Sequence, residues 1–209
     1  IENSTVRDNG RTGIRIKEGS QLELKYDDIV RNTHGVRVLN SQPKIYDSNI
    51  TDGGLGLWTI DSDVSVDASN ISDNGDSGIF NENSSIQVIN SIIALNNYNG
   101  IGMKDSRSSE IINNQILDNG EYGIVIIDSK EPTQIKDNDI RGNREGILIL
   151  GDDGSTIQNN EIHDNDQNGI YQDSSAKRGA GVRYKGDYNL TYLSFGFEAI
   201  NGESNRNKL

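Results

Sequence analysis

The sequence predicts an all-β chain wound as a parallel β-helix, and three periodic columns carry the prediction. A glycine followed at once by a branched apolar residue recurs as Gly13-Ile14, Gly35-Val36, Gly56-Leu57, Gly78-Ile79, Gly100-Ile101, Gly123-Ile124, Gly146-Ile147 and Gly169-Ile170, at intervals of 21 to 23 residues. A second column lies six or seven residues before each glycine: Val6, Ile29, Ile50, Ile71, Ile93, Ile116, Ile140 and Ile162. A third lies five residues before the second: Leu24, Ile45, Val66, Val88, Ile111, Ile135 and Ile157. Self-similarity at a fixed period of this size is the signature of a repeat architecture.

Each repeat therefore supplies three short apolar segments separated by polar turns. The segments are β-branched and alternate with polar residues, as in Val64-Ser65-Val66 and Ile14-Arg15-Ile16, which is the period of a strand. No stretch holds a 3.6-residue period. Leucine-rich repeats share the repeat length but need leucine dominance and a helical segment, and ankyrin and tetratricopeptide repeats are longer and helical. What remains is one coil of three strands per repeat, with coils stacked about 4.8 Å apart by parallel pairing. Eight such coils make a rod on the order of 35–40 Å long.

A polar column runs in the same phase. Asn9, Asn32, Asn74, Asn96, Asn119, Asn143 and Asn165 each stand three residues after the second apolar column, and only Gly53 interrupts them. Asparagine tolerates left-handed backbone angles and bonds its own neighbours. Stacked at one coil spacing, the amides are also expected to bond each other in a ladder. The recurring glycine is expected to supply an unusual backbone angle or a close approach at a corner.

The pattern Asn70-Ile71-Ser72-Asp73-Asn74 followed by Gly78-Ile79 resembles the repeats of pectate-lyase-like β-helix proteins over residues 1–175. The resemblance implies a single-stranded right-handed parallel β-helix with three parallel sheets. That superfamily holds polysaccharide lyases, hydrolases and epimerases, and also secreted or surface proteins without assigned chemistry. Fold does not imply function.

Composition narrows the classes. The 209 residues suit one domain, and apolar content of 32% serves a narrow core because the β-branched residues stand in phase. The net charge of −12 argues against nucleic acid and against anionic membrane surfaces. No apolar run is long enough to span a bilayer. With no cysteine, disulfides and thiolate metal sites are excluded. The start at Ile1, inside a repeat, leads us to expect a fragment or processed product. An extracellular or cell-surface location is expected from the family resemblance.

The period stops after Gly169-Ile170. We expect the β-helix over 1–175 and a C-terminal hairpin over 176–209, acting as a cap or flap or opening a truncated further domain. Its strands are read from Gly181-Val182-Arg183-Tyr184 and from Leu190 to Phe197, with a helix beginning within Asn201 to Leu209. Residues Tyr192 to Ile200 also resemble the last strand of α/β domains in large secreted microbial proteins.

Alternation places the second residue after each glycine outward: Arg15, Arg37, Trp58, Phe80, Gly102, Val125, Leu148 and Tyr171. Trp58, Phe80, Val125 and Leu148, with Ile60, Ile127 and Leu150 of the next outward column, are expected to form an apolar stripe larger than monomers usually expose. The expected covers are the C-terminal hairpin, a neighbouring domain, or a glycan held by Trp58, Phe80 and Tyr171 with Arg15 and Arg37 beside them. Asp27-Asp28, together with Arg15-Ile16-Lys17 and His34-Gly35, resembles pieces of a pectin-hydrolase signature in the wrong order, and the two acids point to opposite faces. His34 and His163 lie six coils apart and cannot share a metal. Calcium takes oxygen ligands from turns, which makes Asp61, Asp63, Asp152 and Asp153, and further on Asp164 and Asp166, its candidate ligands; no cofactor is required.

The sequence thus supports a non-catalytic β-helical scaffold or recognition module. Its expected partner is a polysaccharide or a neighbouring protein domain, with no nucleic acid and no membrane insertion. The alternative is a polysaccharide-active lyase or glycosidase, which needs convergent charged groups on one outer face.

Overall fold

A computed structural model describes residues 1–151, 154–173, 182–185 and 191–195. The chain divides into two compact units, Ile1–Ser175 and Ala176–Leu209. The first contains three parallel sheets and, among the described residues, no helix. Sheet one has eight strands, from Thr5–Arg7 to Glu161–His163. Sheet two has eight, from Thr12–Lys17 to Ile170–Asp173. Sheet three has seven, from Glu23–Lys25 to Thr156–Gln158. Within each sheet, every strand but the two at the ends pairs with its equivalents one coil earlier and one coil later. That order is the parallel solenoid of about eight coils expected from the three columns.

The register confirms the columns residue by residue. Ile29 pairs with Ile50, Ile71 with Ile50 and Ile93, and Ile116 with Ile140. In sheet two Leu57 pairs with Ile79, Ile79 with Ile101 and Ile101 with Ile124. These side chains form one continuous core, in which Ile50, Ile71, Ile93, Ile116 and Ile140 are wholly buried. Each isoleucine meets its own kind one winding away, so β-branched shape is repeated where stacking needs it.

The three corners are built alike. A residue in the left-handed region is followed at once by a buried polar residue that bonds the next coil. After sheet one, Asp8, Arg31, Asp73, Leu95, Asp118 and Asp164 have φ between 51° and 60°, and each precedes an asparagine of the expected ladder. The left-handed conformation thus falls on the residue before each ladder asparagine and not on the asparagine itself. The amides bond each other as expected: Asn9 Nδ2 donates to Asn32 Oδ1 at 2.9 Å, Asn74 to Asn96 at 2.9 Å, Asn96 to Asn119 at 3.0 Å, Asn119 to Asn143 at 3.0 Å, and Asn143 to Asn165 at 3.1 Å. Gly53 breaks the run, and its backbone N–H donates to Asn74 Oδ1 instead.

Two further ladders occupy the other corners. Between sheets three and one, Asp27, Ser48, Ser69, Ser91, Asn114, Asn138 and Asn160 are linked coil to coil through backbone N–H donors. Between sheets two and three, Ser41, Ser62 and Ser84 do the same. A buried backbone N–H needs a partner, and one short polar side chain per corner supplies it.

The repeating glycine serves close approach, since none of its copies has a positive φ. A Cβ added to Gly100 would sit 2.6 Å from the Gly123 carbonyl oxygen and 2.9 Å from Ile116 Cγ2. One break in the apolar core is polar: Thr59 and Asn81 replace the apolar residues of their sheet-two column. Thr59 Oγ1 donates to Asn81 Oδ1 at 2.6 Å, and the Asn81 amide donates to Ser84 O and Ser106 Oγ.

In the second unit Val182–Lys185 and Thr191–Phe195 pair antiparallel, with a register shift between Arg183 and Lys185. This is the expected hairpin. The expected helix over 201–209 lies outside the described residues, as does most of the α/β-like stretch.

Candidate functional site

A concave surface lies along the outer face of sheet three. One row of it runs across four coils as Glu23, Lys44, Ser65 and Gln87, each the register partner of the next. Gln21, Gln42, Asp63 and Ser85 line the same groove, whose volume is about 560 Å³. That lies within the range of small-ligand sites, roughly 300–1,000 Å³. The strand period turns Ile45, Val66 and Val88 into the core and these polar neighbours out. The row is internally bonded: Gln87 Nε2 donates to Glu110 Oε2 at 2.7 Å, and Gln42 Nε2 reaches Asp63 Oδ2 at 3.5 Å. Arg107 Nη2 spans two coils to donate to Asp63 Oδ1 at 2.7 Å and to Ser62 O at 2.9 Å. The groove thus mixes donors and acceptors, contains no aromatic ring, and balances its charges locally. Sequence reasoning did not single out this face. Its signal was the outward position of each third-segment strand, where Glu, Lys, Ser and Gln follow one another.

The residues expected to bind lie on sheet two. Arg15 is exposed, Arg37 and Trp58 are half-buried, and Tyr171 is 42% exposed. Phe80 does point away from the core, but it is only 1% exposed and offers no stacking face. Val125 and Leu148 are likewise 1% exposed, and Ile127 and Leu150 are buried, while Ile60 is half-buried. Tyr171 stands five strands along the sheet from Trp58, roughly 24 Å at strand spacing, so the two do not form one platform. The Arg37 guanidinium carbon lies 4.2 Å from the centroid of the Trp58 ring, and the His34 ring centroid is 5.5 Å from it. Burial, and then the Arg37 charge, hold the His34 imidazole below its ordinary range. Residues 176–209, the expected cover of the stripe, lie outside the described residues apart from the two hairpin strands.

A buried polar row edges the same sheet. Asp76 Oδ1 accepts from Ser77 N at 2.7 Å and from Ser77 Oγ at 3.1 Å, and Asn99 Nδ2 donates to Ser77 Oγ at 3.3 Å. Burial pushes the Asp76 carboxyl up against those hydrogen bonds, and it also raises Tyr122 and Glu145. Asp76 and Glu145 are separated by three coils, roughly 14 Å, beyond the span of a catalytic carboxylate pair.

The remaining candidates do not converge. Asp27 is wholly buried and accepts from Ser4 N at 2.8 Å and Lys25 N at 3.0 Å, whereas Asp28 is exposed and accepts from Asn49 Nδ2 at 2.8 Å. Asp61 is a left-handed corner residue bonded to the Asn83 amide, and Asp63 belongs to Arg107. Asp164 bonds His163 Nδ1 at 2.8 Å and holds that imidazole above its ordinary range. Asp152 and Asp153 lie outside the described residues. Among the described residues no group of three or more His, Asp or Glu side chains could hold a metal ion. No helix there is long and apolar enough to cross a membrane.

A right-handed solenoid with hydrogen-bonded corner ladders and a polar groove on one sheet defines the class. The chain belongs to the family described as "Right handed beta helix region", whose model matches residues 1–134 and 129–178. No curated protein matches it in sequence. Among solved structures it is similar to the A-module of the mannuronan C-5 epimerase AlgE4 of Azotobacter vinelandii, with TM-score 0.74 and 20% identity over 86% of this chain and 57% of that one. It is also similar to pectate lyase Pel9A, with TM-score 0.56 and 11% identity over 81% of this chain and 58% of that one. The chain therefore spans under three-fifths of either structure, and the likeness is one of fold.

Proposed function

We propose that this chain is a non-catalytic recognition module that holds a polysaccharide along the outer face of sheet three. The observation that carries the reading is the groove itself. Glu23, Lys44, Ser65 and Gln87 repeat at one residue per coil, so an extended polymer would meet an equivalent polar side chain about every 4.8 Å. Mixed donors and acceptors on a rigid surface match a hydroxyl-rich ligand. The lack of a free, convergent acid pair in the groove favours binding over cleavage, because Asp63 is committed to Arg107. A secreted or cell-surface setting fits such a partner. The reading requires no cofactor, and a rise in melting temperature on adding calcium would add a metal to it.

The second reading is a polysaccharide-active enzyme, favoured by the fold likeness to an epimerase module and a pectate lyase. Incubation with mannuronan, polygalacturonate and neutral glycans separates the two. Binding without unsaturated products, new reducing ends or altered uronate stereochemistry supports the module. Turnover replaces it with the enzyme. Loss of glycan binding in Gln87→Ala and Lys44→Ala is expected; full binding by both variants would remove the groove from the account.

A further inference from the structure

The chain carries 32 acidic against 20 basic residues, and most of its well-placed arginines find an acid. Arg31, Arg107, Arg141 and Arg144 each have a carboxylate oxygen within 3.2 Å. Arg15 and Arg37 are different. They are register partners on adjacent parallel strands of sheet two, so two like charges stand one coil apart, which is unfavourable by itself. Neither has an ion pair or hydrogen bond among the described residues. Arg37 Nε is also shut off from solvent without a hydrogen-bond partner, which costs free energy unless something answers it. Burial, and then the Arg15 charge, lower the Arg37 guanidinium from its ordinary value. The Trp58 ring braces that guanidinium at 4.2 Å. A guanidinium stacked on indole keeps its in-plane N–H donors directed outward.

We infer that Arg15 and Arg37, braced by Trp58, form an oxyanion site for the carboxylate or sulfate groups of an acidic polysaccharide. The site lies on a different face from the groove of sheet three, and it stands or falls independently of that reading. An oxyanion between the two guanidinium groups would screen their repulsion, and the terminal N–H groups of a guanidinium can donate to a carboxylate or sulfate in bidentate fashion. Arg15 is exposed and Arg37 half-buried, so a charged unit would meet Arg15 first and settle on Arg37.

Trp58 is the only tryptophan in the chain, so emission excited at the red edge, beyond tyrosine absorption, reads this site. The experiment titrates the full chain with hexagalacturonate, with a sulfated dextran of similar length, and with maltohexaose as the neutral control. A saturable change in Trp58 emission is expected with a charged oligomer and not with maltohexaose. The arm that responds tells carboxylate from sulfate. Arg37→Gln should weaken binding about tenfold or more, the loss of a charge-assisted hydrogen bond, and Arg15→Gln by less. Circular dichroism and melting of both variants should match the parent. A flat emission signal with both charged oligomers would overturn the inference. So would equal response to maltohexaose, or unchanged affinity in folded variants.

Discussion

Sheet two presents two different outer faces on one backbone. Over its first three coils the outward column reads Arg15, Arg37 and Trp58, which are exposed or half-buried. Over the next four coils the same column reads Phe80, Gly102, Val125 and Leu148, whose three side chains are 1% exposed, before Tyr171 in the last coil is exposed again. Pairing and register continue unchanged across the boundary, as does the inward column Val36, Leu57 and Ile79, while the next inward column turns polar there at Thr59 and Asn81. The repeat thus constrains the inward residues, where each isoleucine must fit its copy one coil away, and leaves the outward residues to vary along the rod. Binding chemistry in a solenoid is free to occupy a few coils without disturbing the stack.

The sharpest way to break the comparison is Ile93→Asp, at a wholly buried inward position paired with Ile71 and Ile116. A carboxylate there has no partner, and we expect no cooperative thermal transition. Val125→Asp comes next, with destabilisation of roughly 3 kcal/mol or more in urea unfolding, whereas Arg15→Asp on the same column should leave the midpoint almost unchanged. Equal midpoints for these two variants would erase the difference between the halves. Gly100→Ala should cost about 1–3 kcal/mol by overpacking, because its Cβ would meet the backbone of the next coil. Gly102→Ala, whose added Cβ would meet Phe80 Cδ2 at an ordinary contact distance of 3.4 Å, should be close to neutral. Asn119→Ala removes a buried rung and should cost about 1–3 kcal/mol.

The smallest effect is on the two histidines. The folded state holds His34 below the ordinary value of about 6.5. Its contribution to stability is therefore present above that value and lost as pH falls through the folded pKa. His163 is raised by Asp164, and its contribution is present below the ordinary value and lost as pH rises. Ring-proton NMR titration should show His34 titrating below His163; the reverse order would contradict the placement of His34 beside Arg37 and Trp58.

The core was legible in the sequence because stacking demands the same shape at the same phase, and Ile50, Ile71 and Ile93 declare it. The asparagine ladder was legible for the same reason. The ladder of Asp27, Ser48, Ser91 and Asn114 was not, since those residues satisfy one geometric demand with different residue types; the serine column of Ser41, Ser62 and Ser84 is uniform and was passed over. Asp61 was read as a calcium candidate; with Asp8, Asp47 and Asp118 it stands at a left-handed corner, where a short polar side chain is cheap. The groove escaped notice because its side chains are ordinary surface types, and only their alignment across coils makes a site. Phe80 was read as a platform from alternation, which gives the direction of a side chain and not its exposure, here 1%.

The gap at Gly53 carries a mechanical meaning. In stacked repeats, stability is close to a sum over nearest-neighbour contacts, so a junction that lacks one side-chain link is where cooperativity thins. The two windings before it are thus the segment that should peel away first when the rod is pulled or warmed, while the longer unbroken run beyond holds its amide protons.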